Sequence, residues 1–169
     1  LHPKVKKIYT SLGVSAHLLM WEVPQEKITE MDWNYSENIS ENIKLTSLPS
    51  RHFSGRQFTR NQSLWNSFAL EFFGYKIYLG GDSGYGKHFK EIISMHGPFD
   101  IAMLEIAQYG EGWPYIHMTP EQAYQAAMEI NTKVLLPVHW GKFALALHPW
   151  DEPIKRLLAA NKNSEIEIT

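Results

Sequence analysis

Apolar residues along this chain first alternate with polar ones in short bursts and later gather into nearly unbroken runs. Residues 5–10 and 28–33 read as short strands, separated by a short amphipathic helix over 15–22 that Pro24 stops. Residues 43–48 alternate apolar and polar positions up to Pro49 and predict another strand. Two further β runs, 64–73 and 75–79, meet at Gly74 and predict a hairpin. The stretch 35–42 is polar and rich in Asn and Ser, so it is expected to be a surface loop. Residues 99–106 and 134–138 are almost continuously apolar, as in strands covered on both faces.

Helices separate these later strands. Residues 87–96 place Phe89, Ile92, Ile93 and Met95 at helical spacing, with Gly97 as the C-cap. Thr119-Pro120-Glu121-Gln122 is a helix start in which Thr caps, Pro takes the first turn and Gln122 reaches back to close a capping box. Ala123, Ala126, Ala127 and Ile130 then share one face. Glu152-Pro153 opens a last helix with Ile154, Leu157 and Leu158 expected inward, and Ile166 and Ile168 suggest a terminal strand. No repeat or linker divides the chain. One layered α/β domain over 1–169 is the expectation.

Composition narrows the function classes. The 169 residues are 44% hydrophobic and 20% charged, with a net charge of −2, so no bulk basic field points to nucleic acid. There is no Cys; any metal must be held by His and carboxylates, and a cytoplasmic location is expected. No apolar run reaches the roughly 18–20 residues of a membrane span. The start, Leu1-His2-Pro3-Lys4, has neither Met nor a signal-peptide profile and reads as the middle of a longer chain.

Ligand-type residues stand just past the predicted strand ends: His52 after the strand ending near Leu48, Asp82 after Gly80-Gly81, and His139 directly after Val138. Layered α/β proteins place ligands and chemistry at strand ends of this kind. Two imidazoles and a carboxylate suit Zn²⁺ or a similar divalent ion. Glycines 80, 81, 84 and 141 allow tight turns and close approach there. Taken singly, Gly-Asp-Ser-Gly is also an ordinary turn, and a His at a strand end is also a structural residue.

Four segments carry a resemblance. Pro49-Ser50-Arg51-His52-Phe53-Ser54-Gly55-Arg56 with Arg60-Asn61 and Leu64-Trp65, Gly80-Gly81-Asp82-Ser83-Gly84-Tyr85, His117-Met118-Thr119-Pro120-Glu121-Gln122-Ala123, and Pro137-Val138-His139-Trp140-Gly141 with Phe143-Ala144-Leu145 are similar, in order, to the metallo-β-lactamase superfamily branch that contains N-acyl-phosphatidylethanolamine phospholipase D. The resemblance runs from about Val5 to Leu158. It implies an αββα sandwich, incomplete here, with the C-terminal half and part of the first half present. It implies a divalent metal site, two Zn in the complete protein, with His52 on one metal, Asp82 bridging and acting in catalysis, and His139 on the other. His117 would contact substrate or donate a proton, or else cap local structure. The activity implied is hydrolysis of phosphodiester or related ester bonds in a small-molecule or lipid-like substrate, with lactone or nuclease-like hydrolysis as alternatives.

The family's His-x-His-x-Asp-His ligand motif is absent from this sequence, so the chain by itself is expected to hold metal weakly or not at all. The alternative class is a catalytically inactive remnant whose uncovered sheet face drives self-association or pairs with a missing N-terminal half. Lys142, where the family carries a small hydroxyl residue, either favours an anionic substrate or is solvated. Trp65, Trp113, Trp140 and Trp150 either line a lipid pocket or edge the core. Residues 109–115, Gly- and aromatic-rich, are expected to wall the cleft. Arg51, Arg56 and Arg60 either hold a phosphate or pair with acids such as Glu71. His17, His88, His96 and His148 read as structural or surface residues.

Overall fold

A computed structural model describes residues 4–56, 59–142, 145–162 and 166–169. The elements run β1 (Ile8–Ser11), α1 (Ser15–Met20), β2 (Ile28–Met31), β3 (Ser36–Ser40), β4 (Ile43–Pro49), β5 (Gly55–Arg56), β6 (Thr59–Arg60), β7 (Asn66–Phe72), β8 (Tyr75–Leu79), α2 (His88–His96), β9 (Phe99–Glu105), α3 (Pro120–Glu129), β10 (Thr132–Val138), α4 (Glu152–Ala160) and β11 (Glu167–Ile168). Seven strands form one mixed sheet in the order β11-β10-β9-β8-β7-β4-β3. The β8–β11 side is parallel and the β3–β4–β7–β8 side antiparallel. This is the division that the change of hydrophobic period predicts, since parallel strands need helical crossovers and antiparallel ones only hairpins.

Local chemistry explains the joints. Phe73 and Gly74 both have positive φ, 47° and 88°, as a two-residue turn matched to strand twist requires. Thr119 accepts from the Gln122 amide while the Gln122 side chain accepts from the Thr119 amide, so the capping box forms as expected and starts α3 three residues after His117. Gly97 ends α2 in an extended conformation, not the left-handed one of a typical glycine cap. A Cβ there would fall 2.0 Å from the Ile93 Cδ1, the movable end of that side chain.

The core lies between the sheet and α2–α4. Tyr78, Ala102 and Leu135 are neighbours across three strands and pack with Phe89, Ile92 and Leu157, all fully buried. Ala123, Ala126 and Ala127 are also fully buried; their small side chains let α3 lie close against the sheet. The opposite sheet face carries rows such as Leu70-Ile77-Ile101-Val134 and Phe68-Leu79-Met103-Leu136, and these side chains are only half-buried. One face of the sheet is therefore packed and the other is partly open.

Two expectations are corrected. Residues 36–40 are a strand, β3, paired antiparallel with β4. Its Asn- and Ser-rich sequence reflects an exposed sheet edge, where polar side chains deter further pairing. Leu158 is 52% exposed, because α4 turns Pro153 and Leu157 inward and the next position lies about 100° round the helix. No helix among the described residues is long and apolar enough to cross a membrane.

Candidate active site

His52, Asp82, His117 and His139 come together at one end of the sheet. The loop after β4 delivers His52, the turn after β8 delivers Asp82, the approach to α3 delivers His117, and His139 follows β10 directly. Two hydrogen bonds lash the first two loops together: the Arg51 amide donates to Ser83 Oγ at 3.0 Å, and the Gly84 amide donates to the Arg51 carbonyl at 2.7 Å. Glycine is required at this crossing, since a Cβ on Gly84 would fall 2.0 Å from the Tyr115 carbonyl oxygen and one on Gly80 would fall 2.8 Å from that of Met103.

The imidazoles are close neighbours. The His117 ring centroid is 5.3 Å from that of His52 and 5.2 Å from that of His139. His139 Nε2 lies 3.5 Å from Asp82 Oδ1. That proximity holds the Asp82 carboxyl below its ordinary range and lifts the His139 imidazole above its own. Burial is the main cause that lowers the His52 imidazole, and the neighbouring His117 adds to it. His139 reaches its position in a left-handed backbone conformation, φ 64°, which is uncommon for a residue with a side chain.

His52 meets the chemical requirement of a metal ligand. Its Nδ1 is 2.9 Å from the Phe53 carbonyl, an acceptor, so the proton sits on Nδ1. Its Nε2, left with a lone pair, is buried and has no hydrogen-bond partner. A ring nitrogen fixed in this way by a carbonyl is the usual arrangement behind a metal-bound imidazole. Phe53 stacks on the ring at 4.8 Å, and the Arg60 guanidinium sits over Phe53 at 5.2 Å.

Glu105 belongs to the same site and the sequence reading passed over it. It closes β9 with no exposure; one carboxylate oxygen lies 2.9 Å from His117 Nδ1 and the other accepts from the Met118 amide at 2.9 Å. Burial raises its carboxyl and the histidine beside it opposes that rise. Its signal in sequence was an acid directly after the apolar run Ile101 to Leu104 at the end of the strand.

Among the described residues no group of three or more His, Asp or Glu stands ready to hold an ion by itself. The expected ligands converge as a cluster, with one close carboxylate–imidazole pair. Other expectations sort themselves around it. Trp113 and the 109–115 loop wall a cavity beside His117; Trp140 packs against the core and Trp150 is exposed. Arg51 stacks on Tyr115 at 4.0 Å, while Glu71 pairs with Lys44. The Arg56 side chain and residues 143–144 lie outside the described residues. His88 is buried beneath the Asp82 turn, 3.4 Å from Ser83 Oγ, and His148 stacks on Tyr109.

Histidines and a carboxylate thus gather at the strand ends of a mixed sheet backed by helices, and the comparisons identify the family. The model of the Beta-lactamase superfamily domain matches residues 1–140. The chain belongs to the metallo-β-lactamase superfamily. It is 47% identical over 160 residues to the uncharacterized protein Rv0906 of Mycobacterium tuberculosis, covering 93% of this chain and 43% of that protein. It is 28% identical over 148 residues to N-acyl-phosphatidylethanolamine-hydrolyzing phospholipase D 1 of Caenorhabditis elegans, covering 80% of this chain and 41% of that protein. The structure of Igni18, a metallo hydrolase from Ignicoccus hospitalis, superposes with a TM-score of 0.71 at 14% identity, covering 96% of this chain and 64% of that one. The chain thus spans less than half the length of these two relatives.

Proposed function

We propose that this chain supplies the C-terminal part of the active site of a metal-dependent hydrolase that cleaves phosphodiester or related ester bonds. The observation that carries the reading is the orphaned, buried Nε2 of His52, with its proton fixed on Nδ1 and two further imidazoles and a carboxylate around it. His52, Asp82 and His139 would hold divalent metal, zinc being the ion best suited to this donor set. The remaining ligands would come from residues outside this chain. A metal bound there would polarise the ester oxygen and lower the pKa of attacking water.

The chain's own residues supply position and protons. Glu105 orients His117 so that its far side faces the cluster, where a substrate oxygen would lie, and this histidine is placed to pass a proton to the leaving group. Phe53 keeps the His52 ring in plane. The C. elegans relative, by its name a phospholipase D, supports the phosphodiester over the lactone reading.

The test uses the full-length protein. Asp82→Asn should lose bound metal, read by elemental analysis, and lower kcat on bis(4-nitrophenyl) phosphate by about a hundredfold or more, since even outer partners of metal ligands cost 10–100-fold. Retention of both metal and turnover in that variant would overturn the reading. The half-buried apolar rows on the open sheet face favour a second reading for the isolated chain: an inactive piece that self-associates. Sedimentation of the isolated chain as a monomer would exclude it.

A further inference from the structure

Two cavities flank one side chain beside the site. The larger, about 800 Å³, has Tyr109, Trp113 and His148 among its walls and the Glu152–Arg156 pair in its lining. The smaller, about 320 Å³, is lined by Phe53, Arg60, Ile116 and Leu145. Gly112, Trp113 and His117 line both. Resting on the hydrolase reading above, we infer that Trp113 is a specificity-determining partition, and that the substrate is a diester with two unequal arms whose scissile centre lies at His117.

The partition is built in. The Trp113 indole N–H donates to the Gln108 carbonyl at 2.7 Å. A Cβ on Gly110 would fall 3.1 Å from the indole ring, so glycine lets the ring lie flat against its own loop. Gln108 is buried and holds the facing wall as well: its Oε1 accepts from the amides of Leu145 and Ala146 at 3.1 and 2.8 Å, and its own amide donates to His148 Nε2 at 3.1 Å. One residue therefore fixes both the divider and the segment that closes the two compartments.

The two linings differ in chemistry. Phe53, Ile116 and Leu145 give the smaller compartment apolar walls beside Arg60 and His117, and its size limits it to a compact arm. The larger combines aromatic walls with Glu152, Arg156, Thr119 and Gln122, so it accepts a bulkier arm with polar groups. A monoester has one organic arm and would leave one compartment empty beside the reacting centre. A diester fills both.

The experiment measures kcat/KM of the full-length, metal-loaded protein on 4-nitrophenyl phosphodiesters whose second arm runs from methyl to octyl. Wild type should show an optimum at an intermediate arm. Trp113→Ala, which joins the compartments, should shift the optimum to longer arms and change the octyl-to-methyl ratio by about tenfold or more, the scale on which pocket volume discriminates methylenes. Trp113→Phe keeps a ring in place and should retain the wild-type optimum, which separates partitioning from a folding defect. A uniform drop across all arms in Trp113→Ala, or a wild-type profile indifferent to arm length, would overturn the inference while leaving the hydrolase reading intact. Absence of turnover on every diester by the wild-type protein would sink the parent reading and this one with it.

Discussion

Glu105 and Asp82 each stand beside one histidine of the same cluster, in opposite surroundings. Glu105 is fully buried and both its oxygens are engaged, one by His117 and one by the Met118 amide. Asp82 is exposed, and His139 approaches one of its oxygens at 3.5 Å. Their carboxyls shift oppositely as well, Glu105 upward mainly from burial and Asp82 downward mainly from His139. The contrast separates two jobs. A carboxylate saturated by its own chain is a fixture that aims a neighbour, whereas one with lone pairs turned outward has something left to bind.

The largest effect that tests this contrast is on stability. Glu105→Leu leaves the Met118 amide and His117 Nδ1 without partners in a dry interior, which should cost about 3 kcal/mol at roughly 1–3 kcal/mol per orphaned group. Asp82→Leu removes an exposed group and should change stability by no more than about 0.5 kcal/mol. Urea unfolding of the two variants makes the comparison. Equal losses would mean that the two carboxylates are structural alike.

The buried side of the site also has a pH signature. His88 lies under the Asp82 turn against Phe89 and near Ser83. Burial, aided by the Arg51 guanidinium and opposed by Glu129, pushes its imidazole down from 6.5 to about 4. The folded protein thus refuses a proton that the unfolded chain takes up. The stabilisation is complete above the unfolded value of 6.5 and is lost as pH falls toward about 4, by on the order of 2–3 kcal/mol. His88→Gln should flatten the acid limb of the stability profile by about one proton over that window. An unchanged slope would show that His88 titrates normally in the fold.

How much of this was legible follows from which residues acted alone and which needed the fold. The α3 capping box, the Phe73-Gly74 hairpin and the alanine face were readable because their partners lie within a few positions. His52, Asp82 and His139 were readable from their places after strands, and the structure gathers them as that placement implied. Strand β3 was missed because its state is set by pairing with β4, not by its own Asn- and Ser-rich sequence. Glu105 was missed because its neighbours in β9 are apolar and its partners, His117 and Met118, are 12 and 13 residues away. Trp113 was seen as a candidate wall, but its division of two cavities depends on Gln108, whose four described hydrogen bonds in this region reach Trp113, Leu145, Ala146 and His148.

The smallest predicted effect is the one that best separates binding from packing. His139 holds φ 64°, a conformation that costs a side-chain-bearing residue about 1–2 kcal/mol. Glycine adopts it freely but gives the unfolded chain more entropy, worth roughly 0.5–1 kcal/mol against it. The exposed Asp82 contact adds little. His139→Gly should therefore leave the metal-free protein as stable as before, or more stable by up to about 1 kcal/mol, in thermal unfolding. The same variant of the full-length protein should hold less metal. That pairing is what backbone strain kept for binding produces, because a residue selected for packing would lose stability when cut to glycine. If His139→Gly destabilises the metal-free fold by as much as Glu105→Leu does, the open side of the cluster is scaffold as well, and the division between the two carboxylates fails.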